Sequence, residues 1–193
     1  LYTATSHLSD LDGKHIAIVG DIKHSRVARS NAIGFATMGA RVTLVGPPTL
    51  LPPSLDGWPV EVTHDLDAVI DDLDICYLLR MQLERQKQAV VPTLREYQHE
   101  YGLTSARADR LGAEALIMHP GPMNRGVEIA GEVADRPNAV ITEQVANGVS
   151  VRMAVLFLLL GAFAQSCQAC QPDSVRNDLL QQGANTSMRE AHS

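Results

Sequence analysis

Cysteine is scarce and odd in number, three in 193 residues. That is no disulfide framework, and it fits a reducing, cytoplasmic compartment. Aromatic residues make up only 4%, too few for the stacking platforms that bind single-stranded nucleic acid. Positive charge is not in surplus either. The formal net charge is −6, so neither a nucleic-acid surface nor a polybasic membrane patch is expected. The first residues, LYTATSHLSDLDG, lack the charged-then-apolar order of a signal peptide. The longest apolar run, Val155 to Ala164, is about half a membrane span. What remains is ordinary for a soluble globular protein: 45% hydrophobic and 20% charged, with length for one α/β domain and a tail.

A second absence lies inside the stretch around which the chain is organised. Ile16 to Val19 reads as a buried strand, Gly20-Asp21 ends it, and a basic turn leads into a helix from about Val27 to Met38. This is the first half of a βαβ unit, and ligands bind at such strand ends. A dinucleotide would need glycines for the tight turn and for close backbone approach to the pyrophosphate. Here Gly20 stands alone and the next glycine is Gly34, inside the helix. An anion at this turn must be gripped by side chains, chiefly Arg26, with Lys23 or Arg29. The alternative is a solvated basic helix start with no ligand.

The rest of the chain predicts a doubly wound, mostly parallel sheet of the Rossmann-like kind. Further strands are expected at Arg41–Val45, Val60–Thr63, Asp74–Leu79 and Ala115–Met118, with a short acidic helix at Asp65–Asp72. Met81 to Tyr101 reads as a long polar connection of the lid type. Glu143 to Ala164 reads as a helix apolar nearly all round in its second half, and 165–193 as a mobile tail. The lone Cys167/Cys170 pair there lacks the second pair that zinc would want.

The chemistry gathers at strand ends. Arg26 follows the first strand, Arg80 ends the fourth, and His119-Pro120-Gly121-Pro122 ends the fifth. Two arginines can each fork a carboxylate, which suits a dicarboxylate or an amino acid with two carboxyls. Gln82 adds an amide on the same side if the chain stays extended. The prolines leave backbone carbonyls free for an ammonium or amide donor. His119 alone is assigned no proton transfer. There is no Ser-His-Asp order, no paired His/Cys metal spacing and no carboxylate pair of acid/base geometry. The pattern is one of binding and orientation.

Four motifs in order, GDIKHSRVARS at 20–30, LRMQLER at 79–85, HPGPMNRGVEI at 119–129 and QVANGVSVRM at 144–153, resemble the catalytic chain of the bacterial aspartate carbamoyltransferases. The resemblance covers about residues 1–161. It implies that Arg26, Arg80 and Gln82 bind L-aspartate and that Pro120, Gly121 and Pro122 present backbone to carbamoyl phosphate. The implied reaction moves the carbamoyl group to the aspartate amine, toward pyrimidines, with no metal or organic cofactor, in a cytoplasmic homotrimer. The family's N-terminal carbamoyl-phosphate domain, with its Ser-Thr-Arg-Thr and His-Pro-Thr-Gln motifs, has no counterpart in these residues, and the catalytic groups are expected there. The chain is therefore expected to divide into an interdomain helix remnant (1–13), an aspartate-binding α/β domain (14–142), a closing helix (143–164) that packs on the absent domain, and the tail. Alone it is expected to be inactive. Ornithine carbamoyltransferases carry His-Cys-Leu-Pro where this chain has His119-Pro120-Gly121-Pro122. The other alternative is a non-catalytic carbamoyltransferase-like binding or regulatory module.

Overall fold

The computed structural model describes residues 1–81 and 93–169, with side chains described as far as 161. A short helix, α1 (Tyr2–Leu8), precedes β1 (His15–Val19), α2 (Arg26–Thr37), β2 (Arg41–Val45) and β3 (Glu61–Thr63). Then come β4 (Ile75–Leu78), α3 (Leu94–Tyr101), α4 (Ser105–Leu111), β5 (Leu116–Met118), the single turn α5 (Gly131–Ala134) and the long α6 (Ile141–Ala169). The five strands form one sheet in the order β3-β2-β1-β4-β5, and every pairing is parallel. This is the doubly wound α/β arrangement that the strand-helix alternation predicted.

β1 sits at the centre and is buried along its whole length. Alternate residues of a strand face opposite sides of the sheet. Accordingly Ile16 and Ile18 join the core beneath α2 with Ala28, Ala32 and Phe35, while Ala17 and Val19 join the core on the other face with Leu66, Ile70 and Leu111. α2 starts where it does because Ser25 caps it, its Oγ accepting from the Ala28 N–H at 3.2 Å.

The predicted acidic helix at Asp65–Asp72 is a turn instead. Asp65 Oδ1 accepts from the N–H groups of Asp67 and Ala68 at 2.9 and 3.2 Å, a local alternative to helix that short acidic side chains offer. Only Ile70–Asp72 winds into a 3-10 turn. Leu66 and Ile70 are buried as expected.

The connection from 81 to 101 is not wholly irregular, because its last eight residues are α3. Thr93 and Thr104 cap α3 and α4 through their Oγ1 atoms, which accept from Glu96 and Arg107 N–H groups at 3.0 and 3.3 Å. Gln82 and the greater part of the expected lid lie outside the described residues, as does most of the expected tail, including Cys170.

The chain divides into two compact units, Leu1–Gly148 and Val149–Ser193. Ile141–Gly161 is long and apolar enough to cross a membrane by length and composition, with mean hydropathy 1.5. That is longer than the apolar run picked out in the sequence. Its first turns nevertheless belong to the folded unit. Ile141 is buried, Gln144 Nε2 donates to the Tyr77 hydroxyl at 2.8 Å, and Asn147 Nδ2 donates to Thr3 Oγ1 at 3.1 Å.

Candidate functional site

Because all five strands run the same way, their carboxyl ends share one edge, and β1, β4 and β5 are immediate neighbours there. Strands pair about 4.8 Å apart, so the three candidate segments begin within about 10 Å of one another.

After β1 the chain turns at Gly20, whose φ is +124°. A side chain is excluded there twice over. The backbone is one that L residues rarely adopt, and a Cβ would lie 2.9 Å from the Tyr97 hydroxyl. Asp21 follows, 2% exposed, and accepts from the His24 N–H at 3.1 Å while pairing with His24 Nδ1 at 2.9 Å. This buried acid and the Ser25 cap fix the turn between them. Lys23, His24, Arg26 and Arg29 then line a cleft of about 460 Å³, closed on another side by Trp58. The Arg29 guanidinium lies 5.7 Å from the Trp58 ring centroid, a cation–π contact worth about 0.5–1 kcal/mol at an exposed site. None of the described residues lining the cleft is acidic. Lys23, His24, Arg26 and Arg29 are all exposed on this wall. Trp58 was not foreseen, since it comes from a proline-rich connection with no periodicity to place it.

After β4 the Leu79 N–H still bonds to the Val19 carbonyl at 2.8 Å, carrying the pairing with β1 past the strand's end. Arg80 is half-buried and Met81 wholly buried. The Asn124 side-chain amide donates to the Met81 carbonyl at 3.1 Å, tying this end to the segment that follows β5.

That segment holds the candidate carbonyls. His119 is fully buried, Pro120 and Gly121 half-buried, and Pro122 exposed. Gly121 has φ +61°, and the Gly121–Pro122 bond is cis. Among the described residues no donor bonds the carbonyls of Pro120, Gly121 or Pro122, which leaves acceptors at the edge as the prolines implied. Beneath them lies a polar group that sequence reasoning passed over. His119 Nε2 meets Glu128 Oε1 at 3.2 Å, and Glu128 is 1% exposed. Its signal was present: an acid flanked by Val127 and Ile129 in an apolar setting.

Arg80 and Pro120–Pro122 therefore follow adjacent strand ends, whereas Arg26, the first residue of α2, lines a cleft that neither of them lines. Among the described residues no group of three or more His, Cys, Asp or Glu side chains is placed to hold a metal ion. Cys76 is inert, because burial in the sheet pushes its thiol up to about 12.

Residues 12–159 match the family model described as "Aspartate/ornithine carbamoyltransferase, Asp/Orn binding domain". The aspartate carbamoyltransferase catalytic subunit of Acidothermus cellulolyticus is 59% identical over 160 residues, covering 83% of this chain and 50% of that protein. The chain thus spans about half the length of the curated relatives it matches. Among solved structures, the catalytic subunit of M. jannaschii aspartate transcarbamoylase superposes with TM-score 0.69 at 29% identity, covering 84% and 55% of the two chains. The Trypanosoma cruzi aspartate transcarbamoylase in complex with carbamoyl phosphate gives 0.68 at 26%, covering 80% and 53%. The same enzyme with aspartate and phosphate gives 0.65 at 28%, covering 80% and 50%. A parallel sheet with these strand ends, and a family match running through every one of them, place the chain in the aspartate/ornithine carbamoyltransferase family, as its Asp/Orn-binding domain.

Proposed function

We propose that this chain is the L-aspartate-binding half of an aspartate carbamoyltransferase, a cytoplasmic enzyme that assembles as a homotrimer and makes N-carbamoyl-L-aspartate for pyrimidine synthesis. The observation that carries the choice of aspartate over ornithine is the cleft beside Arg26, with Lys23 and Arg29 on its wall and no described acid. Two carboxylates complement such a wall, whereas the side-chain ammonium of ornithine is repelled by it. Pro120, at the position where the ornithine enzymes carry cysteine, favours the same side.

Arg26, Arg80 and Gln82 hold the aspartate carboxylates. The backbone of Pro120, Gly121 and Pro122 presents carbonyls to the amino group of carbamoyl phosphate. The aspartate nitrogen attacks the carbamoyl carbon, the new C–N bond forms, the C–O bond to phosphate breaks, and the departing phosphate takes the proton that the amine loses. The described residues of this half are assigned to aspartate and to the carbamoyl amine, so its part is to position the nucleophile. The phosphate and the carbamoyl oxygen are held by the N-terminal half, against which the apolar turns of α6 pack. Each missing donor is worth about a hundredfold or more in rate, and such groups act as a unit.

The test joins this chain to the N-terminal half of the Acidothermus relative and follows label from carbamoyl phosphate. The joined protein is expected to carbamoylate L-aspartate and not ornithine, and the chain alone to do neither. Turnover by the chain alone, or ornithine preferred by the joined protein, overturns the reading. Aspartate binding without turnover in the joined protein would favour the non-catalytic module.

A further inference from the structure

We infer that His119 is a positioning residue: its ring, locked in one tautomer between Gly121 and Glu128, aims the Pro120 carbonyl at the ligand. The inference rests on the reading above that this segment meets carbamoyl phosphate. The Gly121 N–H donates to His119 Nδ1 at 2.9 Å. A ring nitrogen that accepts carries no proton, so the proton of the neutral imidazole is on Nε2. Nε2 then donates to Glu128 Oε1 at 3.2 Å, with both side chains at 1% exposure or less.

The consequence for the backbone follows from the peptide plane. The Pro120–Gly121 peptide is trans, so its C=O points opposite to its N–H. With the Gly121 N–H turned inward onto the buried ring, the Pro120 carbonyl must face outward, toward the shared strand edge. No donor among the described residues takes it up.

The ring is itself held. Glu128 Oε1 also accepts from the Asn124 N–H at 2.6 Å, and the Asn124 side chain reaches the Met81 carbonyl at 3.1 Å. On the other side the His119 N–H donates to Gln144 Oε1 at 3.2 Å, and Gln144 bonds Tyr77. The segment is thereby tied to the end of β4 and to the first turns of α6. Glu128 Oε2 is buried with no hydrogen-bond partner among the described residues. An apolar residue between Val127 and Ile129 would bury at less cost. At Oε1 the carboxylate takes two donors, the His119 ring and the Asn124 N–H, and so holds ring and segment together.

Two isosteres separate the two ring bonds. In His119→Asn the amide oxygen falls near the place of Nδ1, so it accepts from Gly121 but does not reach Glu128. In His119→Gln the amide falls near Nε2, so it keeps Glu128 and loses Gly121. In this chain, nitrogen NMR should find His119 protonated on Nε2 and the Gly121 amide protected from exchange. That protection should survive in His119→Asn and vanish in His119→Gln. In the joined protein, His119→Gln should raise KM for carbamoyl phosphate about tenfold or more. Its kcat at saturation and its KM for aspartate should stay within about twofold, and His119→Asn should recover most of the loss. A ring protonated on Nδ1, an unprotected Gly121 amide, or equal KM changes in the two variants overturns the inference. If the wild-type joined protein fails to take carbamoyl phosphate, the functional reading fails by itself, and the ring and amide signals still decide the positioning.

Discussion

Arg80 stands just beyond β4, half-buried and anchored through Met81 to Asn124. A desolvated guanidinium facing a carboxylate loses more than one hydrogen bond when removed. In the joined enzyme Arg80→Ala should therefore cost roughly 2–5 kcal/mol of aspartate binding or transition-state stabilisation. Arg80→Lys should recover only part, since an ammonium cannot form the planar fork. Steady-state kinetics check this, and an aspartate kcat/KM within about twofold of wild type would remove Arg80 from the site. A second residue sets the pH dependence of stability at the opposite edge of the sheet. His15 is held below the ordinary histidine value of 6.5, first by burial and then by Arg41, while it bonds Thr43 Oγ1 at 2.9 Å. The unfolded chain takes up a proton near that value and the folded chain does not. Stability is thus complete above about pH 6.5 and falls as pH drops toward the lower folded value. The melting temperature should decline from pH 7 toward pH 5, before carboxylates titrate, and His15→Gln should flatten that decline. An unchanged slope in the variant would assign the decline elsewhere.

α4 is the element that fastens the 65–72 turn to α3, on the face of the sheet opposite α2. Arg107, 11% exposed at its side chain, donates to Asp67 with Nε and Nη2, and its Nη1 donates to the carbonyls of His99 and Gly102 at 2.9 Å. Arg110 adds pairs to Asp67 and Asp71, more exposed and so worth less. Arg107→Met should leave two carbonyls and a carboxylate short of a donor. It should cost about 2–3 kcal/mol, seen in calorimetry as a fall of roughly 5–10 °C, with faster amide exchange in α3 and α4. Arg107→Lys should recover little. These same elements show where sequence reading stopped. The strands were legible because β1, β2 and β4 are short apolar runs ended by Gly or a charged residue. The strand-end residues were legible because parallel topology dictates where strand ends go. α3 was hidden because only Tyr97 of its eight residues is buried, too little for an apolar stripe. The Asp65 turn was misjudged because apolar residues at 66, 69 and 70 fit a helix, and only the side-chain bonds of Asp65 decide otherwise. Glu128 escaped because a charge among apolar neighbours is read as a loop tip until its partner, His119, is seen.

At the scale of the whole molecule, charge and apolar surface are unevenly spread. The net charge is −6, yet the cleft wall gathers Lys23, Arg26 and Arg29. Along α6, Val155 to Leu160 are exposed, Phe157 at 77% and Leu160 at 67%. A contiguous apolar surface of that kind drives association. The isolated chain should show concentration-dependent self-association by light scattering, and Phe157→Glu with Leu160→Glu together should return a monomer. A wild-type chain that stays monomeric at high concentration would show the surface to be covered otherwise. One detail of composition has a practical outcome. The 193 residues contain a single tryptophan, and it is Trp58, half-buried in the cleft wall with the Arg29 guanidinium over its ring. Its emission reports on that wall and on nothing else in the molecule. A carboxylate that draws Arg29 off the indole changes the signal as it binds, so the protein carries its own unlabelled optical sensor for occupancy of the cleft.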